Sequence, residues 1–223
     1  MLHYVGIAGT NIQRSTNLKL LQYMKKHYSE EAVIEIVDIS NLPVFYKASQ
    51  DHIPEAVNVI SGKIRKADGV IIATPAVLSS ALAWFSYRIH PFAGKPVMIV
   101  GASYGSLGTS RAQAQLRQIL DSPELKASIM PSSEFLVGHS LEAFDDSGNL
   151  KNLRLGVQLN GLFSDFSVFV KLTKQMIHSQ KQAKEQTKNV NWQDNQEDNY
   201  ENCCNCRKYC RYIIQSAIIN FYR

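Results

Sequence analysis

The chain has 223 residues, 45 % of them hydrophobic, which is enough for one domain with a sizeable core plus an appendage. Its net charge of +5 is spread thinly: residues 1–178 carry 17 Lys+Arg against 14 Asp+Glu, and the remainder 7 against 5. Without a dense basic run the balance argues against a nucleic-acid-binding face and fits small anionic ligands.

No apolar run reaches the ~18 residues that would span a bilayer. The opening "MLHYVGIAG" has neither a basic n-region nor a small-residue cleavage site, so the expectation is a cytoplasmic protein with no signal peptide and no membrane partner. All four cysteines fall between Cys203 and Cys210, which excludes a disulfide-stapled body.

In chain order, short apolar runs alternate with longer helical patterns. "LHYVGIA" (2–8) predicts a strand, followed by a helix near 15–28 with Leu18, Leu21 and Met24 at helical spacing. "AVIEIVDI" (32–39) precedes a helix near 53–67 that has Ile53, Val57, Ile60 and Ile64 on one face. "GVIIAT" (69–74) runs into a helix near 76–89, and "PVMIVGA" (96–102) into one near 109–121. "SEFLVG" (133–138) is a fifth strand candidate, and 150–178 is a last helical region. Continuous apolar strands bounded by turns indicate a sheet buried on both faces. Repeated strand–helix alternation indicates right-handed βαβ units and a doubly wound α/β domain over residues 1–178. Residues 179–223 change in composition: a Gln-, Asn- and charge-rich run reads as a frayed helix passing into disorder, ahead of the cysteine segment.

In such a sheet, ligands bind outside the carboxyl ends of the strands. Three loops lie there. The first, "GTNIQRSTN", combines Gly9 for a tight turn, the polar groups of Thr10, Ser15, Thr16 and Asn17, the charge of Arg14, and the positive end of the next helix. That composition suits a phosphate cradle, although neither the GxGxxG nor the GxxxxGK[ST] pattern is present. Ser15 or Asn17 serves equally well as a simple N-cap. The second, "GASYGSLG", has Gly101, Gly105 and Gly108 to bring backbone against a flat ligand, with Ser103 and Tyr104 as contacts. The third, after "GVIIAT", holds only Thr74 and Pro75 before the helix pattern resumes.

Other candidates are weaker. The six histidines form no HxxxH or HxH pair, so no metal site is expected in the body. Asp145 and Asp146 in "FDDSGNL" read as a solvated turn. Neither a GxSxG elbow nor a body cysteine suggests a nucleophile, and no catalytic side chain is assigned. Cys203, Cys204, Cys206 and Cys210 lack the spacer of a zinc site and read better as an oxidisable tail.

The pieces "VGIAGTNIQRSTNLKLLQYM", "GVIIATP", "GKPVMIVGASYGSLGTSRAQAQLRQIL" and "SEFLVGHSLEAFDDSGNL" together resemble the NADPH-dependent FMN reductase family, over roughly residues 2–175. The resemblance implies a flavodoxin-like fold: a five-stranded parallel sheet of order 2-1-3-4-5 with helices on both faces. It also implies an oxidoreductase that takes hydride from NADPH or NADH onto FMN and passes it to a small-molecule acceptor such as a quinone, an azo compound or another flavin. No side-chain acid or base is strictly required for that course. A homodimer is implied as well.

By matching position, Gly9, Thr10, Arg14, Ser15 and Asn17 fall in the FMN phosphate loop. Ser103, Tyr104, Gly105 and Ser106 fall along the isoalloxazine edge, and Thr74, Pro75 and Ala76 at the start of the loop after the third strand. This sequence departs from the pattern there. The acidic residue, the aromatic or His, the Asn and the second Pro that family members carry after Thr-Pro are missing. Two competing readings follow from the departure and the tail: a degenerate member that binds flavin weakly or not at all, and a thiol- or metal-based interaction module in the tail.

Overall fold

The structure is a computed structural model that describes residues 1–9, 15–46, 52–74, 78–132 and 134–188. Thr10, Arg14, Pro75, Ala76 and Cys203 to Cys210 lie outside the described residues. The chain divides into two compact units, Met1–Lys174 and Gln175–Arg223. In the second, the described residues to Lys188 are helical, with Ser179 Oγ donating to the Gln175 carbonyl at 3.0 Å.

The elements follow the predicted alternation: β1 (Leu2–Ala8), α1 (Thr16–His27), β2 (Ala32–Val37), α2 (Glu55–Lys66), β3 (Gly69–Ala73), α3 (Ser79–Ser86), β4 (Pro96–Ala102), α4 (Ser110–Leu120), β5 (Ser128–Ile129), β6 (Phe135–Val137) and α5 (Leu153–Lys188). All pairings within the sheet are parallel, and the order is β2-β1-β3-β4-β5, with β6 also on β4.

The period of two along each strand sends side chains to opposite faces. Tyr4, Ala8, Ile71, Ala73, Met98 and Val100 pack with α1 and α5 residues such as Leu21, Met24, Phe163 and Phe166. Val5, Ile7, Val70, Ile72, Val97 and Ile99 pack with Ile60, Phe85 and Leu120 of α2, α3 and α4. Two apolar cores, one on each face, explain why the inner strands read as continuous hydrophobic runs.

The fifth strand position differs from the sequence expectation. It is split into β5, which pairs Ile129 with Val97, and β6, which pairs Phe135 with Val100. Met130 N–H still donates to the Val97 carbonyl at 2.9 Å, but Pro131 follows and has no N–H to continue the ladder. The helix expected over 76–89 ends at Ser86. Arg88 and His90 take positive φ values of 63° and 44°, and Pro91 disfavours helical geometry in the residue before it. At the other end, α5 runs to Lys188, into the stretch that composition reads as a frayed helix.

The amino ends of β1 and β3 are tied by Asp68. Its N–H donates to the His3 carbonyl at 2.7 Å, its Oδ2 accepts from His3 N–H at 2.8 Å, and Lys174 Nζ lies 2.5 Å from Oδ1. Partial burial works against the carboxylate, but Lys174 and the His3 N–H outweigh it and hold the Asp68 pKa below its ordinary value. A lowered folded-state pKa stabilises above the unfolded value and is lost as pH falls through the folded one. Asp68→Asn is therefore expected to cost about 1 kcal/mol at neutral pH. Urea melts of both proteins should converge as pH drops below the ordinary carboxylate range, and a gap that persists there contradicts the assignment.

Candidate functional site

Strands β1, β3 and β4 are neighbours, and their carboxyl ends open on one edge of the sheet. The ladder continues one residue beyond each of them. Gly9 N–H donates to the Ala73 carbonyl at 2.8 Å, Thr74 N–H to the Val100 carbonyl at 3.1 Å, and Ser103 N–H to the Val137 carbonyl at 2.9 Å. Gly9, Thr74 and Ser103 are thus the first residues off the sheet, side by side. A Cβ on Gly9 would lie 3.1 Å from Leu78 Cγ and 3.2 Å from Thr74 Oγ1, so the absence of a side chain lets the first and third loops approach closely.

Helix α1 begins at Thr16. Ser15 is its N-cap, with Oγ accepting from Asn17 N–H at 3.2 Å and Leu18 N–H at 3.4 Å. The first turn contains no acid, and the last contains Lys25, Lys26 and His27, so the charged side chains leave the positive end of the helix dipole free for an anion. Asn17 is buried and its amide is committed elsewhere: Nδ2 donates to the Ala102 carbonyl at 2.7 Å, and Oδ1 accepts from Ala102 N–H at 2.9 Å. This two-point clamp fixes the start of α1 against the end of β4. Ser15 thus caps the helix and Asn17 braces it.

The second loop is folded on itself and on the chain after β6. Ser103 Oγ donates to the carbonyls of Gly108 and, at 3.4 Å, Gly105. His139 N–H donates to the Gly105 carbonyl at 3.3 Å and Ser140 N–H to the Ser103 carbonyl at 3.0 Å. Gly138 lies flat on the loop, because a Cβ there would come within 2.7 Å of the Ser106 carbonyl oxygen. The Ser103 side chain therefore shapes the loop. Tyr104 is 61 % exposed, Gly105 has open space where a side chain would be, and Ser106 is exposed.

Sequence reasoning missed the fourth loop. Ser140, almost fully buried, donates from Oγ to Thr16 Oγ1 at 2.9 Å. It links the loop after β6 to the first turn of α1 and, through its N–H, to Ser103. Ser140 falls within "SEFLVGHSLEAFDDSGNL", one of the pieces that carry the family resemblance, and its place just after a strand candidate is the signal for it. Below the edge, Thr74, Leu78 and Leu82 with Ala112, Gln115, Leu116 and Ile119 line a narrow cleft between α3 and α4.

The edge therefore offers a helix N-terminus, close-packed glycine backbone and an exposed aromatic lip, with no nucleophile–base pair among the described residues. The sequence profile of NADPH-dependent FMN reductases matches residues 2–142. The chain belongs to the NADPH-dependent FMN reductase family. It is 48 % identical over 199 residues to the NADH:(hydroxy)cinnamate reductase subunit CrdA of Vibrio ruber, covering 86 % of this chain and 98 % of that one. It is 38 % identical over 179 residues to NADH-dependent flavin reductase subunit 2 of Lactobacillus johnsonii, covering 74 % and 96 %. Among solved structures, the flavoenzyme NAD(P)H:(acceptor) oxidoreductase FerB of Paracoccus denitrificans superposes with a TM-score of 0.65 at 22 % identity, covering 78 % of this chain and 98 % of that one; this likeness shows the fold.

As a family member the chain is an NAD(P)H-dependent oxidoreductase of the FMN reductase type, with FMN as flavin and NAD(P)H as reductant. The described residues fit that group. The acid-free start of α1 suits a phosphate, and the open Gly105 backbone beside Tyr104 suits a flat ring. Among the described helices, none is long and apolar enough to cross a membrane.

Proposed function

We propose that the carboxyl edge of β1, β3 and β4 binds FMN and that the chain passes electrons from NAD(P)H to a small-molecule acceptor, a quinone, an azo compound or a second flavin. Gly9, Thr10, Arg14 and Ser15, with the start of α1, would hold the phosphate, and Asn17 holds that start in place. Ser103, Tyr104, Gly105 and Ser106 would hold the ring, together with Thr74, Pro75 and Ala76. FMN, when bound, supplies the centre that accepts hydride from NAD(P)H and yields electrons to the acceptor. The protein's part would be to hold the phosphate and the ring at this edge. That no nucleophile–base pair occurs among the described residues is compatible with such a division of work.

One observation carries this reading: Gly9, Thr74 and Ser103 stand side by side beyond three adjacent strands, next to the capped start of α1. The protein works in the cytoplasm, where the nicotinamide reductant is, and as a homodimer. A second reading of the acceptor is favoured by the names of two relatives, each a subunit of an NADH-dependent reductase matched over nearly its whole length: the electrons leave for a partner subunit. Steady-state NADH and NADPH oxidation by the purified chain tests both. Rapid FMN-dependent turnover with a quinone supports the first. Turnover that stays near background until a partner is added supports the second, and oxidation that FMN does not affect contradicts both.

A further inference from the structure

We propose that the outward face of α5 is a self-complementary surface on which two copies of this chain pair antiparallel. Its solvent side carries Leu153, Val157, Gly161, Ser164, Val168 and Leu172 in one stripe, each exposed. The four apolar members are exposed to 83, 73, 52 and 53 % in that order, although the opposite side of the same helix is fully engaged with the sheet through Leu159, Phe163, Phe166 and Val170. They present about 400 Å² of apolar side chain per copy, within the range of the largest patches that monomers leave open and often use. Two such faces with their flanking polar residues approach the ~1,200 Å² at which specific interfaces begin.

The pattern of the stripe identifies the occupant. Its spacings are 4, 4, 3, 4 and 4 residues, a series that is the same read from either end. A two-fold interface presents the same patch from both subunits, so residue i meets j where j meets i. With the axis between Leu162 and Phe163, Leu153 of one copy comes opposite Leu172 of the other, Val157 opposite Val168, and Gly161 opposite Ser164. The largest side chains meet at the ends and the smallest at the centre, which lets the two helices approach closely there. Arg154 and Lys171 sit on opposite flanks of the stripe, leaving its centre free of basic side chains.

This assignment rests on the homodimer reading above and names its surface. Gly161 gives the sharpest test, because a Cβ added there meets nothing within 4 Å in the single chain, and leucine is a better helix former than glycine. Gly161→Leu should therefore leave the fold intact while holding two α5 helices apart. Light scattering after size exclusion, on the full-length chain, should give twice the chain mass for the parent and the single-chain mass for Gly161→Leu, with circular dichroism and FMN retention unchanged. Val168→Glu, which alters the stripe at another exposed point, should give the same loss. A dimeric parent with both variants still dimeric overturns this surface while leaving the dimer standing; a parent that is monomeric at tens of micromolar overturns both.

Discussion

Replacing Gly101 with alanine is expected to destabilise the fold by about 3 kcal/mol and to weaken FMN binding along with it. A Cβ at this position would come within 1.8 Å of Thr109 Oγ1 and 2.8 Å of Thr109 Cβ. Thr109 cannot swing aside freely: it is buried, and its hydroxyl accepts from Gln113 Nε2 at 3.0 Å. Gln113 in turn donates to the Phe135 carbonyl at 2.8 Å. The extra methyl must therefore push the start of α4 away from β4, and the Ser103–Gly108 turn lies between those two elements. Urea denaturation should show the midpoint falling at unchanged slope. A loss under about 0.5 kcal/mol, the level of an ordinary surface change, would contradict the close approach.

Asn17→Ala is expected to cost about 2–3 kcal/mol, because it leaves both the N–H and the carbonyl of Ala102 buried without their partner. The expected effect on flavin is at least a tenfold rise in Kd, since Asn17 places the start of α1 beside the second loop. Asn17→Asp separates the two halves of the clamp. A carboxylate still accepts from Ala102 N–H but faces the Ala102 carbonyl with a second acceptor, so this variant should be no more stable than alanine near neutral pH. Asp rescuing stability to the parent level would show that only the Ala102 N–H matters and would contradict the two-point clamp.

The sequence made the architecture legible because a doubly wound sheet writes itself as apolar runs alternating with helical patterns. β1 and β4 fall where the runs predict them, and two buried faces leave little freedom in register. It failed where local chemistry is settled by distant partners. β5 is two residues long and ends ahead of Pro131, so no periodic signal announces it. The helix α3 stops at Ser86, five residues ahead of Pro91, where Arg88 and His90 take positive φ.

At the site, the sequence puts its glycines and hydroxyls on the edge where the structure brings Gly9, Thr74 and Ser103 side by side, but it does not show the partner of each group. Asn17 reads as a ligand donor or a cap; its bond to Ala102 spans 85 positions and leaves no local trace. Ser103 likewise reads as a contact residue while its hydroxyl is turned onto its own loop, and Ser140 lies in a piece that carries the resemblance without standing out within it. The shortened stretch after Thr74 is plain in the sequence, and its closing residue, Leu78, packs close to Gly9. The approach of the first and third loops follows from that shortness together with the missing side chain at Gly9.

The central claim, that this edge binds FMN and hands it the electrons of NAD(P)H, is tested most directly by anaerobic titration of the purified full-length chain with FMN, followed by NADH or NADPH. The predicted result is saturable binding of one FMN per chain and bleaching of the flavin absorbance when the nicotinamide is added. An FMN spectrum that shows no saturation with protein, or a bound flavin that neither nicotinamide reduces, would contradict it.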